Sequence, residues 1–176
     1  MPIIHQYRFL AAMNLSPRAR PSVAMRYAIW ALAALITEKY KNLHSHFYAR
    51  AKKYAEAEET AGRQKFINVR HAQAFILIAK YEFKTMIYPN AWLTTSRATR
   101  LTQMMGLHRL DGLGLDVMQS LPTPADWTEK EERRRTFWMT FIMERFSSSG
   151  NGWPMIVDER DVCDPFPPLL FTEVPG

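Results

Sequence analysis

A chain of 176 residues, 47% hydrophobic and 12% aromatic, carries enough apolar material for one domain-sized core, which excludes disorder along its whole length. One cysteine, Cys163, excludes an internal disulfide and a cysteine-rich zinc site and suits a reducing compartment. The net charge of +6 is unevenly placed: through Lys53, nine Lys or Arg face Glu38 alone, while from Gly150 onward Arg160 stands against five acids. A basic half attracts DNA or an acidic partner, but charge alone fits ordinary solvated helix faces as well.

Residues 1–21, "MPIIHQYRFLAAMNL" and onward, lack the features of a signal peptide and are read as an N-terminal segment. The most apolar run, Tyr27 to Ile36, falls short of the about 20 residues that cross a bilayer, so no membrane partner is expected and the protein should be soluble and intracellular. Ser22 has the character of an N-cap for a first long helix reaching to near Asn42. A second helix is predicted from Leu43 or His44 to Thr60, with Leu43, Phe47, Ala51 and Tyr54 on one stripe, before a break at Gly62. Asn68 caps a third, in which Ala72, Phe75, Ile76, Ala79 and Phe83 share a face while Leu77, Ile78 and Tyr81 cover others.

Pro89 separates this helix from a fourth that stops at Gly106 and buries Ala91, Ala98, Leu101 and Met105. From Leu107 to Trp127 the spacing dissolves into a long loop with one short helical turn. Thr128 and Glu131 form a capping-box pattern that opens the last helix. No stretch alternates as a half-buried strand does, so the fold class is all-α: a single irregular bundle of antiparallel helices, a long loop before the last helix and an irregular C-terminal segment.

The last helix, "EERRRTFWMTFIMERF", sets arginines against aromatic residues. At about 100° per residue, Arg134 and Arg145 fall about 60° and 80° from Phe137, inside the arc that runs through Phe141 and Trp138 to Ile142. A DNA-reading helix needs its arginines on an accessible face, and the preceding "EKEE" repels phosphate, so these arginines are read as inward-facing. Buried guanidinium groups require carboxylates. The chain supplies Asp158, Glu159, Asp161 and Asp164 after the turn "SSSGNGWP", and the expectation is a charge clamp in which Arg134 or Arg145 pairs with Asp161.

Other candidate chemistry is sparse. His44 and His46 lack the spacing of three or four that places two metal ligands on one helix face, so no metal or cofactor site is assigned. Ser147 to Ser149 with His108 or His71 contain the residue types of nucleophilic catalysis but no nucleophile elbow, and the chain has neither a phosphate loop nor a dinucleotide fingerprint; no catalytic residue and no enzyme is assigned. The ten methionines, Met104, Met105, Met139 and Met143 among them, fit core filling better than an adaptable pocket. Tyr27 and Tyr40 accompany the basic N-terminal half, but helical spacing turns many of its aromatics inward, away from bases.

The ordered set Arg134 and Arg135 before Phe137 and Trp138, Glu144 and Arg145 followed by Ser148, Gly152 and Pro154, then Ile156, Asp161 and Val162, resembles the middle homology region of fungal zinc-cluster transcription factors, the xylanolytic-activator-type regulatory domain. Gly106, Leu107, His108 and Arg109 match a further signature of that family, and Glu144 stands where it often has aspartate. The resemblance spans about Ser22 to Pro168, leaving residues 169–176 as a tail, and relatives commonly continue with further helices, so an incomplete C-terminus is expected. It implies a helical regulatory domain of a nuclear transcription factor, acting on a small-molecule effector or a protein partner. DNA and zinc binding would belong to a separate N-terminal six-cysteine cluster that this chain cannot form. The alternative is an orphan helical ligand- or protein-binding module with no DNA role. Effector, target genes and oligomeric state are not legible in the sequence.

Overall fold

The computed structural model describes residues 1–17, 19–61, 66–112, 121–163 and 166–167; the tail 169–176, the Gly62 break, Asp164 and residues 113–120 of the long loop lie outside them. Among the described residues stand six α-helices and no strand: α1 (Gln6–Met13), α2 (Val23–Ile36), α3 (His44–Ala61), α4 (Val69–Lys84), α5 (Tyr88–Met104) and α6 (Trp127–Asn151). Short 3-10 turns occupy Glu38–Leu43, Leu107–Arg109 and Glu159–Asp161. The fold is all-α.

Several boundaries follow directly from side-chain chemistry. Ser22 Oγ accepts the Met25 N–H at 3.2 Å and Asn68 Oδ1 the His71 N–H at 2.8 Å, satisfying donors that a helix start leaves open. Pro89 sits in the first turn of α5, where its missing N–H is not needed. Gly106, with φ +71°, ends the turn after α5 in the left-handed region that glycine enters without strain.

Three expectations are corrected. The first helix stops at Ile36 and not near Asn42: Thr37 is extended, and the polar run Glu38–Leu43, with no apolar stripe to hold an α-helix against the body, tightens into a 3-10 turn. The cap of α6 is Asp126 and not Thr128. Asp126 Oδ1 accepts the Glu129 N–H, and Glu129 Oε2 accepts the Ala125 N–H, each at 2.9 Å, so the reciprocal pairing forms two residues earlier with an acid in place of the hydroxyl. Residues 1–21, which showed no legible element, contain α1, anchored by buried Ile3, whose carbonyl accepts from Gln73 Nε2 at 2.7 Å.

Helix α2 packs chiefly on α3, and α4 on α5, each pair joined by a short connection; α6 lies on α5 and also touches α4. The first turns of α2, α4 and α6 line one groove and their later turns another, so these three helices run in the same sense. Buried Ala24, Ala28, Ala31 and Ala34 let α2 approach its neighbours closely, while α4 is covered on nearly every side and buries Phe75, Ile76 and Ile78. Helices α5 and α6 bury several hydroxyls. Thr95, Thr99, Thr102, Thr136, Thr140 and Ser147 are all buried. Most of these hydroxyls donate to a carbonyl three or four residues back in their own helix, and the Thr102 and Thr140 hydroxyls meet at 3.3 Å. The most deeply packed face of α6 is therefore this Thr/Ser/Met face and not the aromatic arc, whose Ile142 is exposed.

Candidate functional site

The three consecutive arginines of α6 enter three environments. Arg133 donates to the Pro122 carbonyl and to Glu129, each at 2.7 Å. Arg134 donates to Asp111, through Nε at 3.1 Å, and to Glu131. Arg135 reaches Glu131 at 2.8 Å, and both of these side chains are 0% exposed. Glu131 thus bridges two guanidinium groups with its two oxygens, the pairing that a wholly buried carboxylate requires. Arg133 and Arg135, whose directions diverge in the sequence pattern, are buried more deeply than Arg134, which keeps 12% exposure. The acids of "EKEE" are internal ligands: Glu129 and Glu131 serve arginines, and Glu132 accepts the His5 N–H at 2.6 Å.

Asp111 is the external partner of this cluster. Burial pushes its carboxyl up, but hydrogen bonds from Lys130, at 2.6 Å, and from Arg134 outweigh burial and hold it below the usual carboxylate range. The expected clamp between Arg134 or Arg145 and Asp161 is therefore corrected. Arg134 is taken by Asp111 from the loop after Gly106, whereas Asp161, 57% exposed, pairs with Arg109 at 2.9 Å. The stretch Gly106–Asp111 contains both Arg109 and Asp111. It was the signal for these pairings, and only its distance along the chain hid them.

The C-terminal segment is nevertheless tied to α6, by other atoms. Gly152, at φ +70°, ends the helix with its N–H on the Ser148 carbonyl at 2.8 Å and turns the chain back. Exposed Pro154 follows, and Trp153 lies on Trp92 of α5 with ring centres 4.7 Å apart. Buried Glu144 accepts the backbone N–H groups of Ile156 and Val157, the latter at 3.2 Å. Arg145 donates to the Val157 carbonyl at 2.7 Å, approaches Glu159 at 3.5 Å and stacks over Phe141 at 4.6 Å. Phe137 is fully buried, and Trp138 meets Phe141 and Phe166 edge-on. The motif residues Phe137, Trp138, Glu144, Arg145, Gly152 and Pro154 thus form or flank one device that folds the segment back along α6.

A second buried polar cluster was not legible in the sequence. Glu82, 0% exposed, accepts the Tyr48 hydroxyl at 2.6 Å and stands 3.8 Å from Lys52. Burial and then the Glu82 hydrogen bond raise the Tyr48 phenol above its ordinary value. Tyr81 stacks on Tyr48 with centroids 4.5 Å apart and its hydroxyl meets His44 Nδ1 at 2.6 Å. Helices α2, α4 and α6 together line surface grooves. A groove of about 830 Å³ at the first turns of α2, α4 and α6 is bordered by Arg20, Arg26, Arg70 and Arg133 together with Glu58 and Glu129. An apolar groove of about 610 Å³ lies where the later turns of the same helices meet.

The residues with catalytic character are dispersed. Ser147 and Ser149 donate to carbonyls of their own helix, at Met143 and Phe146. His71 lies 3.1 Å from Glu58, and His108, whose basicity burial and then Arg109 lower, packs near Phe137. His46 is exposed beside Phe47, and Cys163 is exposed. Among the described residues no group of three or more His, Cys, Asp or Glu is placed to hold a metal ion, and no helix is long and apolar enough to cross a membrane.

Residues 1–168 match the family model described as "Fungal specific transcription factor domain". The pigment biosynthesis transcriptional activator of Monascus ruber is 37% identical over 175 residues, 97% of this chain and 31% of the relative. The citrinin biosynthesis transcriptional activator of Monascus purpureus is 33% identical over 94% of the chain and 28% of its own length. The ascochitine biosynthesis cluster transcriptional regulator of Didymella fabae is 29% identical over 95% and 29%. The chain spans about three-tenths of the length of these curated relatives, and no solved structure matches it. These relatives are transcription regulators, not enzymes. A match over 168 residues that takes in the α6 motif and its clamp places the chain in one family: it belongs to the fungal specific transcription factor domain family.

Proposed function

We propose that this helical body is the regulatory part of a nuclear regulator of a biosynthetic gene cluster, and that it acts through contact with an effector or a protein partner. DNA contact belongs, in this reading, to a separate zinc-cluster domain, since one cysteine cannot supply the six thiolates of such a cluster. The observation that carries the reading is the inward placement of the arginine run. Arg133, Arg134 and Arg135 are engaged by Glu129, Glu131 and Asp111, so α6 offers no free guanidinium row to phosphate. The relatives' roles as transcriptional activators of pigment and citrinin biosynthesis support a gene cluster as the regulated target.

The test has two arms. The isolated 176-residue chain, titrated into labelled duplex DNA at physiological ionic strength, is expected to show no saturable binding. Fused to a DNA-binding domain with a known operator, it is expected to change transcription from that operator. Salt-dependent duplex binding by the isolated chain would overturn the reading, because that behaviour requires exposed cations tracking phosphates.

A further inference from the structure

The apolar groove has walls from three helices: Ile36 closes α2, Phe83 and Lys80 come from α4, and Ile142 and Phe146 come from α6. Ile36 is 73% and Phe146 66% exposed, while Phe83 stands edge-to-face against Phe146 at 5.7 Å, so one aromatic wall is already formed. Large apolar side chains gathered in a concavity differ from the single exposed residues that any soluble surface carries. The groove's only charged lining residues among those described are Lys80 and Lys84, and neither has an ion pair or a side-chain hydrogen bond to a described residue. The nearby acids are directed elsewhere, Glu82 to Tyr48 and Glu144 to the backbone of Ile156 and Val157. Burial lowers the basicity of Lys80, as expected of an ammonium that has lost water without gaining a counter-charge.

We propose that this groove docks an amphipathic α-helix of another protein, its apolar stripe between Ile36 and Phe146 and its acidic flank against Lys80 and Lys84. Charge selects this occupant. A second copy pairing through the same groove would bring two lysine rims together with no acid in the lining to offset them. An anionic membrane has the right charge, but a concave site between helix ends suits an inserted row of side chains better than a planar surface. The proposal extends the regulatory reading by naming the partner's chemistry. Its readout is binding by the isolated chain, so it can fail while the transcriptional test succeeds, or the reverse.

The test uses the full 176-residue chain and three labelled 18-residue helical peptides: Leu and Phe on one face with Glu at the rim, the same face with Lys at the rim, and a scrambled Glu peptide. Saturable anisotropy is expected for the Glu-rimmed peptide alone. Phe146→Asp, at an exposed position, should abolish it while the far-UV dichroism stays that of the parent. Lys80→Glu with Lys84→Glu should weaken it about tenfold and create binding of the Lys-rimmed peptide. Equal binding of both rims, no binding of any peptide, a dimer in sedimentation that Phe146→Asp dissolves, or preferential capture by phosphatidylserine vesicles would each overturn the proposal.

Discussion

At the scale of single residues, the governing fact is that a buried charge must keep its partner. Glu131 and Arg135 are both fully buried, and removing one leaves the other's charge without its main counter-ion. Glu131→Ala is expected to cost about 3–5 kcal/mol in a urea titration. Removing the charge at exposed Asp161, as in Asp161→Asn, should cost no more than about 1 kcal/mol, since the Asp161 side chain is 57% exposed. Asp111 makes the same logic visible in acid. Its folded carboxyl is depressed, so its contribution is complete above the unfolded value of 3.8 and is lost as pH falls through the lower folded value. Denaturation midpoints measured from about pH 4 downward should fall less steeply for Asp111→Asn than for the parent.

At the scale of elements, termini record which side chain reaches the open N–H groups first. Ser22, Asn68, Pro89 and Gly106 were legible because each acts on its own neighbours, within three residues or fewer. The start of α6 was misplaced by two residues because Thr128 and Asp126 offer equivalent chemistry, and sequence spacing cannot choose between them. Asp126→Ala should lower the melting temperature, and Thr128→Ala should leave it nearly unchanged. Helix α1 escaped notice for a different reason: its eight residues hold one buried side chain, Ala12, so its place depends on long-range bonds such as His5 N–H to Glu132.

At the scale of the molecule, the return of the C-terminal segment joins α6 to α5 through Glu144, Arg145 and the Trp92–Trp153 contact. Glu144→Ala removes the acceptor of two backbone N–H groups and is expected to free this segment before the bundle. Limited proteolysis should then cut between Trp153 and Arg160 at protease levels that spare the parent, while far-UV dichroism changes little. The co-directional α2, α4 and α6 also separate the surface chemically, with an arginine-bordered groove towards their starts and an apolar groove along their later turns. Neither groove is visible along the chain, because each collects residues from segments more than thirty positions apart.

Helical periodicity, four of the punctuating residues and the ordered motif from Arg134 to Val162 were enough, from the sequence alone, to establish an all-α member of this family, because they depend on local geometry or on residue order. Packing decided the partners of the charges: Asp111 and not Asp161 for Arg134, Glu131 for the hidden Arg135, and backbone amides for Glu144. Arg134 and Asp111 stand 23 positions apart, and only the folded chain brings them within ion-pairing distance; Glu131 and Arg135 are neighbours on one helix, and there packing decided the burial of the pair.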